Sequence, residues 1–88
     1  MVQQEIEVSN VLGIHARPAA LIVQLSNKFA SDIWLEKDGA KADAKSIMSV
    51  MMLAAAYQSK ILVCAKGKEE DQAVDAIVSL FKSNFNEE

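Results

Sequence analysis

The residues best suited to chemistry lie in one short segment, residues 13–20, which reads Gly-Ile-His-Ala-Arg-Pro-Ala-Ala. It holds the single histidine and the single proline of the 88 residues. Because proline fits a helix only in its first turn, Pro18 predicts a helix that begins near residue 16. His15 then lies at the helix start, where backbone N–H groups and the positive end of the dipole favour an anion. Arg17 adds a permanent positive charge with several hydrogen-bond donors.

A neutral imidazole is a nucleophile, and here it would stand beside the predicted anion site. This combination suits a phosphoryl acceptor, because proteins promote phosphoryl transfer mainly by positioning and by charge stabilisation. The other interpretation is a histidine that caps a helix on a surface loop, with an unrelated arginine nearby. The spacing of these residues leaves both interpretations open.

The hydrophobic pattern along the chain predicts elements in the order βαββαβα. Strands are expected over residues 2–8, 32–36, 40–44 and 60–66, and helices over 16–27, 46–54 and from about residue 70 onward. The fourth strand is apolar on both faces, so it belongs in the centre of a sheet, whereas the charged third strand suits an exposed edge. Helices on one face of the sheet would cover its apolar side.

Two helices have predicted buried stripes. The first helix is expected to bury Ala19, Ala20, Ile22 and Val23, and the last helix to bury Val74, Ile77, Val78, Phe81 and Phe85 at helical spacing. On the sheet, we expect Trp34 on the open face and Cys64 as a small packed apolar residue.

Composition excludes several classes of function. The net charge is −3, and the sequence contains no basic stripe. Both observations argue against a nucleic-acid partner. The N-terminus has no signal-peptide pattern, and no apolar run is long enough to span a bilayer. One cysteine and one histidine are too few for a disulfide or a metal site, and no catalytic dyad or triad is present. We therefore expect a single cytoplasmic domain over residues 1–88, without metal or cofactor, and a frayed acidic end at Glu87 and Glu88.

Two segments resemble the signatures of a known family. Residues 13–19 resemble the active-site signature of the HPr family, the histidine-containing phosphocarriers of the bacterial sugar phosphotransferase system. Residues 45–48, followed by Val50 and Met51, resemble the second HPr signature around its regulatory serine. The resemblance covers essentially the whole chain. It implies an α+β open-faced β-sandwich, with an antiparallel sheet of strand order 1-4-2-3 and three helices on one face.

The resemblance also implies roles for individual residues. His15 would accept a phosphoryl group on Nδ1 from enzyme I and pass it to a sugar-specific IIA protein or domain, so the chain would be a monomeric carrier rather than an enzyme. Arg17 would pair with the phosphoryl oxygens. Ser46 would be the target of HPr kinase/phosphorylase and could create a site for a transcriptional regulator, although an N-cap serine needs no further explanation.

A partner-binding surface is expected around this site. Its predicted members are Ala16, Pro18, Ala20, Ile47, Met48 and Met51. The apolar residues of the short second helix could instead belong to the core, but their density beside the proposed site favours an adaptable docking patch.

The chain departs from the family pattern near the second helix, where Ser49 and Ala54 stand in place of the glycines of many relatives. Residues 56–59 likewise replace a glycine-containing turn. Two other functions remain open: a nitrogen-type or regulatory phosphocarrier that signals through a IIA protein, and a small interaction module in which His15 is incidental.

Overall fold

Four strands and three helices follow one another as βαββαβα in the computed structural model, which describes residues 1–86. The strands are β1 (Val2–Glu7), β2 (Asp32–Lys37), β3 (Ala40–Asp43) and β4 (Lys60–Lys66). The helices are α1 (Ala16–Ser26), α2 (Ile47–Met52) and α3 (Glu70–Lys82). The order of elements is as predicted, and the expectation for Glu87 and Glu88 lies outside the described residues.

The strands form one antiparallel sheet in the order β1-β4-β2-β3. The central position of β4 confirms the prediction from its apolar composition, since Val63 pairs with Gln4 on one side and Leu35 on the other. The short β3 pairs only with β2 and lies at the edge, as its charged residues predicted.

The core lies between the sheet and the helices. α3 packs across β1 and β4, α2 packs against β3, and α1 contacts both other helices. The largest fully buried side chains come from both layers and include Ile22, Leu35, Val50, Ile61, Val63, Ile77, Phe81 and Phe85. This arrangement confirms the α+β open-faced sandwich. Within residues 1–86, no helix is long and apolar enough to cross a membrane.

The other face of the sheet carries a small polar cluster around Trp34. The indole Nε1 donates to Glu36 Oε2 at 2.7 Å, and Lys41 Nζ lies 4.3 Å from the ring centroid. Cys64 pairs with Trp34 across the strands and is fully buried, as expected for a packed apolar residue. Burial, together with the nearby Glu36 carboxylate, raises the pKa of the Cys64 thiol to about 11.

The prediction that Phe85 belongs to the stripe of the last helix is wrong. α3 ends at Lys82 with Ser83 as its C-cap, and Asn84–Asn86 form a separate 3₁₀ turn. All three residues of that turn have positive φ, between 54° and 60°, which reverses the chain and returns Phe85 to the core. Helical periodicity places Phe85 wrongly because α3 ends about one turn before this residue. The prediction that Phe85 is buried still holds.

The buried stripe of α1 differs slightly from its prediction. Pro18 and Ser26 join Ala19 and Ile22 in full burial, whereas Ala20 and Val23 are only half-buried. The stripe is therefore rotated toward the side of the helix that bears Pro18.

The missing glycine at position 54 has a structural cost. α2 ends with Leu53 as its C-cap, and Ala54, the next residue, adopts φ 54°, the left-handed conformation for which glycine is favoured after a helix. A residue with a Cβ loses ~1–2 kcal/mol in that conformation, which the extra unfolded-state entropy of glycine offsets by ~0.4–1 kcal/mol.

Ala54→Gly is therefore expected to raise the free energy of unfolding by about 0.5–1 kcal/mol, as measured by urea denaturation. Ala56→Gly is the matched control, because Ala56 is also exposed but has no positive φ. We expect that control to lose stability. An equal loss in both variants would contradict the conformational argument.

Candidate functional site

His15 is the N-cap of α1, as predicted. Its backbone is extended, with φ −98° and ψ −166°, and its side chain does not cap the helix. The first turn contains no acidic residue. Because Pro18 has no N–H and Ala19 N donates to His15 O at 3.0 Å, the amides of Ala16 and Arg17 are the first-turn donors without an intrahelical acceptor. The imidazole therefore stands beside a helix terminus suited to an anion.

The loop before His15 is held by backbone contacts to the segment that follows α2. Ile14 N donates to Ala55 O at 2.9 Å, and the buried Asn10 side chain donates from Nδ2 to Gly13 O at 2.6 Å. Gly13 N in turn donates to Asn10 O at 3.0 Å. The bond to Ala55 joins the loop before α1 to the segment that follows α2.

Gly13 is required at this junction for two reasons. Its φ is +68°, and a Cβ built there would lie 2.6 Å from Ala55 O. Gly13→Ala is therefore expected to lower the free energy of unfolding by about 2–3 kcal/mol, from left-handed strain together with overpacking. Urea denaturation of the purified variant measures this loss.

Gly39→Ala supplies the control for Gly13→Ala. Gly39 also has a positive φ, +82°, but a Cβ there would meet no heavy atom within 4 Å. Gly39→Ala is expected to lower the free energy of unfolding by about 1 kcal/mol, because only the left-handed conformation opposes the Cβ. Equal losses at the two glycines would show that the contact with Ala55 O carries no cost.

Arg17 is exposed in the first turn of α1, two residues after His15. Its Nη1 donates to Phe85 O at 3.5 Å, a contact that joins α1 to the 3₁₀ turn after α3. The guanidinium is thus held at the same end of α1 as the helix-start amides.

The predicted partner-binding residues differ in exposure. Ala16, Ile47, Met48 and Met51 are exposed, and Ala20 is half-buried. Pro18 is fully buried, so its predicted contact with a partner is not supported. Its ring packs into the molecule because residues 18, 19, 22 and 26 form the inner face of α1.

Sequence reasoning left out several exposed apolar side chains in this region. They are Val11, Leu12, Met52 and Tyr57. Met52 belongs to the same short helix as Met48, while Val11 and Leu12 precede Gly13 in the loop that leads to His15. The exposure of Val11 and Leu12 could have been suspected from the sequence, because they form an adjacent apolar pair within a polar loop. Exposure of Met52 depends on the rotation of α2, which its six residues are too few to predict.

Ser46 is the N-cap of α2, as expected from the residue type. Its Oγ accepts a hydrogen bond from Ser49 N at 3.3 Å, and its side chain remains partly exposed. The preceding Lys45 does not point to the serine, since its Nζ donates to Phe29 O at 2.9 Å.

Charge is divided sharply along the chain. All 12 Asp and Glu residues lie outside residues 8–31 and 44–68, although the net charge is −3. α1, α2 and the loops that meet at Gly13 therefore carry no carboxylate. An approaching phosphoryl group, or an acidic protein surface, would meet no acidic side chain from these segments.

Comparisons with known proteins agree with this geometry. A family model described as the PTS HPr component phosphorylation site matches residues 2–83. The phosphocarrier protein HPr of Treponema pallidum is 46% identical over 88 residues and covers 100% of both chains. The HPr-like protein Crh of Bacillus subtilis is 47% identical over 79 residues, 90% of this chain and 93% of the relative.

A solved structure extends the agreement to the fold. The crystal structure of HPr-C-His from Thermoanaerobacter tengcongensis superposes with a TM-score of 0.96 at 46% identity, over 100% of this chain and 99% of that one. The histidine and arginine at the start of α1, the serine cap of α2 and the βαββαβα sheet order all fit one assignment: this chain belongs to the HPr family of phosphocarrier proteins.

Proposed function

We propose that this chain accepts a phosphoryl group on His15 from phospho-enzyme I and passes it to a IIA protein or domain. The observation that carries the proposal is the placement of His15 as the N-cap of α1, with Arg17 in the first turn and no acidic residue there. Membership of the HPr family supplies the partners.

In the proposed transfer, an imidazole nitrogen of His15, Nδ1 by family resemblance, attacks the phosphorus of the donor phosphohistidine. The new N–P bond forms while the donor N–P bond breaks, and the donor imidazole keeps the electron pair. The amides of Ala16 and Arg17 and the Arg17 guanidinium are suited to stabilise the phosphoryl oxygens. In the transfer to a IIA protein, phosphorylated His15 is the donor, and a nucleophile of the IIA protein attacks its phosphorus.

The proposed docking surface consists of Ala16, Ala20, Ile47, Met48, Met51 and Met52. Its helices contain no carboxylate, and Arg17 lies beside it, so an apolar partner surface with an acidic rim would match it. Methionine side chains adapt to different surfaces, which suits a carrier that must bind both a donor and an acceptor.

The test of the carrier function is a labelling experiment. The protein is incubated with enzyme I and labelled phosphoenolpyruvate, and a purified IIA protein is then added. We expect label that is lost in acid but stable in base, as for a phosphoramidate, and its transfer to the IIA protein. Absence of label, with enzyme I active on a control carrier, would leave the interaction-module interpretation.

A role in sugar uptake is the first choice for the pathway, because residues 13–19 resemble the signature of the phosphocarriers of the bacterial sugar phosphotransferase system. The alternative is a nitrogen-type or regulatory carrier that feeds a signalling IIA protein. Competition between a sugar-specific and a nitrogen-type IIA protein for labelled carrier would separate them, since faster transfer identifies the partner. We further propose that the carrier works as a monomer in the cytoplasm, which a mass measurement in solution and cell fractionation would test.

Ser46 is proposed as a regulatory phosphorylation site for an HPr kinase/phosphorylase, with a transcriptional regulator as a further partner. A phosphate there would add about −2 charge next to Ile47 and Met48. It would thereby repel the acidic rim expected on a docking partner.

Ser46→Asp is expected to lower the rate of phosphorylation by enzyme I about tenfold, because like charges at a surface contact cost ~1–2 kcal/mol. The matched control is Ser79→Asp, which adds the same charge at an exposed position on α3. A wild-type rate for Ser46→Asp, or equal losses in both variants, would contradict the regulatory role.

A further inference from the structure

Methionine is concentrated on the surface of α2. Three of the six residues of this helix are methionines, and Met48, Met51 and Met52 have exposed fractions of 71%, 43% and 77%. The remaining methionine, Met1, precedes β1, whereas the loop that leads to His15 follows the other end of that strand. Exposed thioethers are readily oxidised, and a Met-rich interface is disrupted when its sulfur atoms become sulfoxides.

We propose that Met48, Met51 and Met52 form a reversible oxidation site, through which a peroxide turns off docking of the relay partners. The proposal rests on the proposed carrier function, because the affected surface is the docking surface. It adds a chemical input to that surface that is independent of Ser46.

The chemistry is a two-electron oxygen transfer. A thioether sulfur attacks one oxygen of a hydroperoxide, the S–O bond forms as the O–O bond breaks, and the other oxygen leaves as water or an alcohol after taking up a proton. Sulfur is oxidised and the peroxide is reduced. A thiol-dependent methionine sulfoxide reductase reverses the change, with the sulfoxide oxygen leaving as water and the thiols oxidised to a disulfide.

The anchoring of α2 does not use these methionines. Val50 is the buried residue of the helix, Leu53 is buried directly after it, and the Ser46 side chain caps its first turn. A sulfoxide oxygen on Met48 or Met52 would therefore project into solvent and leave the core intact. The expected effect is on the surface chemistry rather than on folding.

The single thiol of the chain, that of Cys64, is protected. Cys64 is fully buried beneath the open face of the sheet, and its raised pKa keeps the thiol protonated near neutral pH, while peroxides react with thiolates. Oxidation under mild conditions is thus directed to the methionines, of which only Met1 lies outside α2.

The experiment compares each protein with itself before and after treatment with hydrogen peroxide. Sulfoxide at each methionine is measured by peptide mass spectrometry, docking by the rate of phosphorylation by enzyme I, and folding by the thermal unfolding midpoint. Wild type is expected to lose about tenfold in rate as the α2 methionines are oxidised, since a buried sulfoxide lacks a partner. The midpoint is expected to stay the same, and a methionine sulfoxide reductase should restore the rate.

The control is the triple variant Met48→Leu, Met51→Leu, Met52→Leu, which keeps Met1. Whatever its own starting rate, that rate is expected to remain unchanged after peroxide treatment, although Met1 becomes oxidised. An equal loss in the triple variant, an unchanged rate in oxidised wild type, or a loss that follows a lowered midpoint would overturn the proposal. If untreated wild type is not phosphorylated by enzyme I, the proposed carrier function is itself wrong. The oxidation proposal, which depends on that function, is then also wrong.

Discussion

His15→Ala is expected to carry no acid-labile phosphate after incubation with enzyme I and phosphoenolpyruvate, under conditions in which wild type is fully labelled. The chain has no second histidine that could accept the group. The thermal unfolding midpoint of the variant is measured alongside, to show that the protein without label is folded. Acid-labile label in a folded His15→Ala protein would exclude His15 as the acceptor.

The same experiment separates the acceptor from the group that stabilises the phosphate. Arg17→Ala is expected to take up label, but about ten- to a hundredfold more slowly, because a hydrogen bond to a charged group contributes ~1.5–3 kcal/mol. Lys28→Ala is the matched control: Lys28 is an exposed cation just beyond the other end of α1. If both variants slow equally, net charge rather than a positioned guanidinium controls the rate.

The local geometry of the candidate site was predictable from the sequence because it depends on neighbouring residues. Proline in a first helical turn, an N-cap residue and a serine before a short helix each act within a few residues, and the structure places all three as predicted. The central place of β4 was also predictable, since a strand without a polar face suits the interior of a sheet, where β1 and β2 flank it.

The features that were not predicted depend on contacts between distant segments. The rotation of α1 that buries Pro18 is set by packing against α2 and α3, and six residues of α2 do not define which methionine faces solvent. The close approach of Gly13 to Ala55 likewise joins segments far apart in sequence. Gly13 suggested a tight turn, but only the fold shows that a Cβ at this position would clash with Ala55 O.

The C-terminal turn is the clearest case of tertiary packing that overrides a local pattern. Phe85 adopts φ 56° between two asparagines that also have positive φ, a conformation that a phenylalanine rarely takes. Its ring is fully buried, with its centroid 4.9 Å from that of Phe81 at an interplanar angle of 65°. Burial of the ring offsets the strain of the backbone, and the asparagines tolerate theirs.

Phe85→Ala is therefore expected to lower the free energy of unfolding by about 3–5 kcal/mol, a large share of the ~5–15 kcal/mol that stabilises a typical domain. Urea denaturation measures the loss, with an unchanged slope showing that the same surface is exposed on unfolding. Phe29→Ala is the control, because Phe29 is only half-buried and packs at the edge of the core. A loss at Phe85 no greater than at Phe29 would contradict the role of the turn as a core element.

The same turn links stability to the site, since the Phe85 carbonyl accepts the Arg17 hydrogen bond and Asn84 accepts one from Ser9. Phe85→Leu keeps an apolar side chain and the backbone carbonyl, so it is expected to lose less stability than Phe85→Ala and to be phosphorylated at nearly the wild-type rate. If Phe85→Leu is stable but labelled as slowly as Arg17→Ala, then the aromatic ring, and not only the carbonyl that it anchors, sets the position of Arg17. The two substitutions at one residue thus separate what the ring contributes to folding from what the turn contributes to the site.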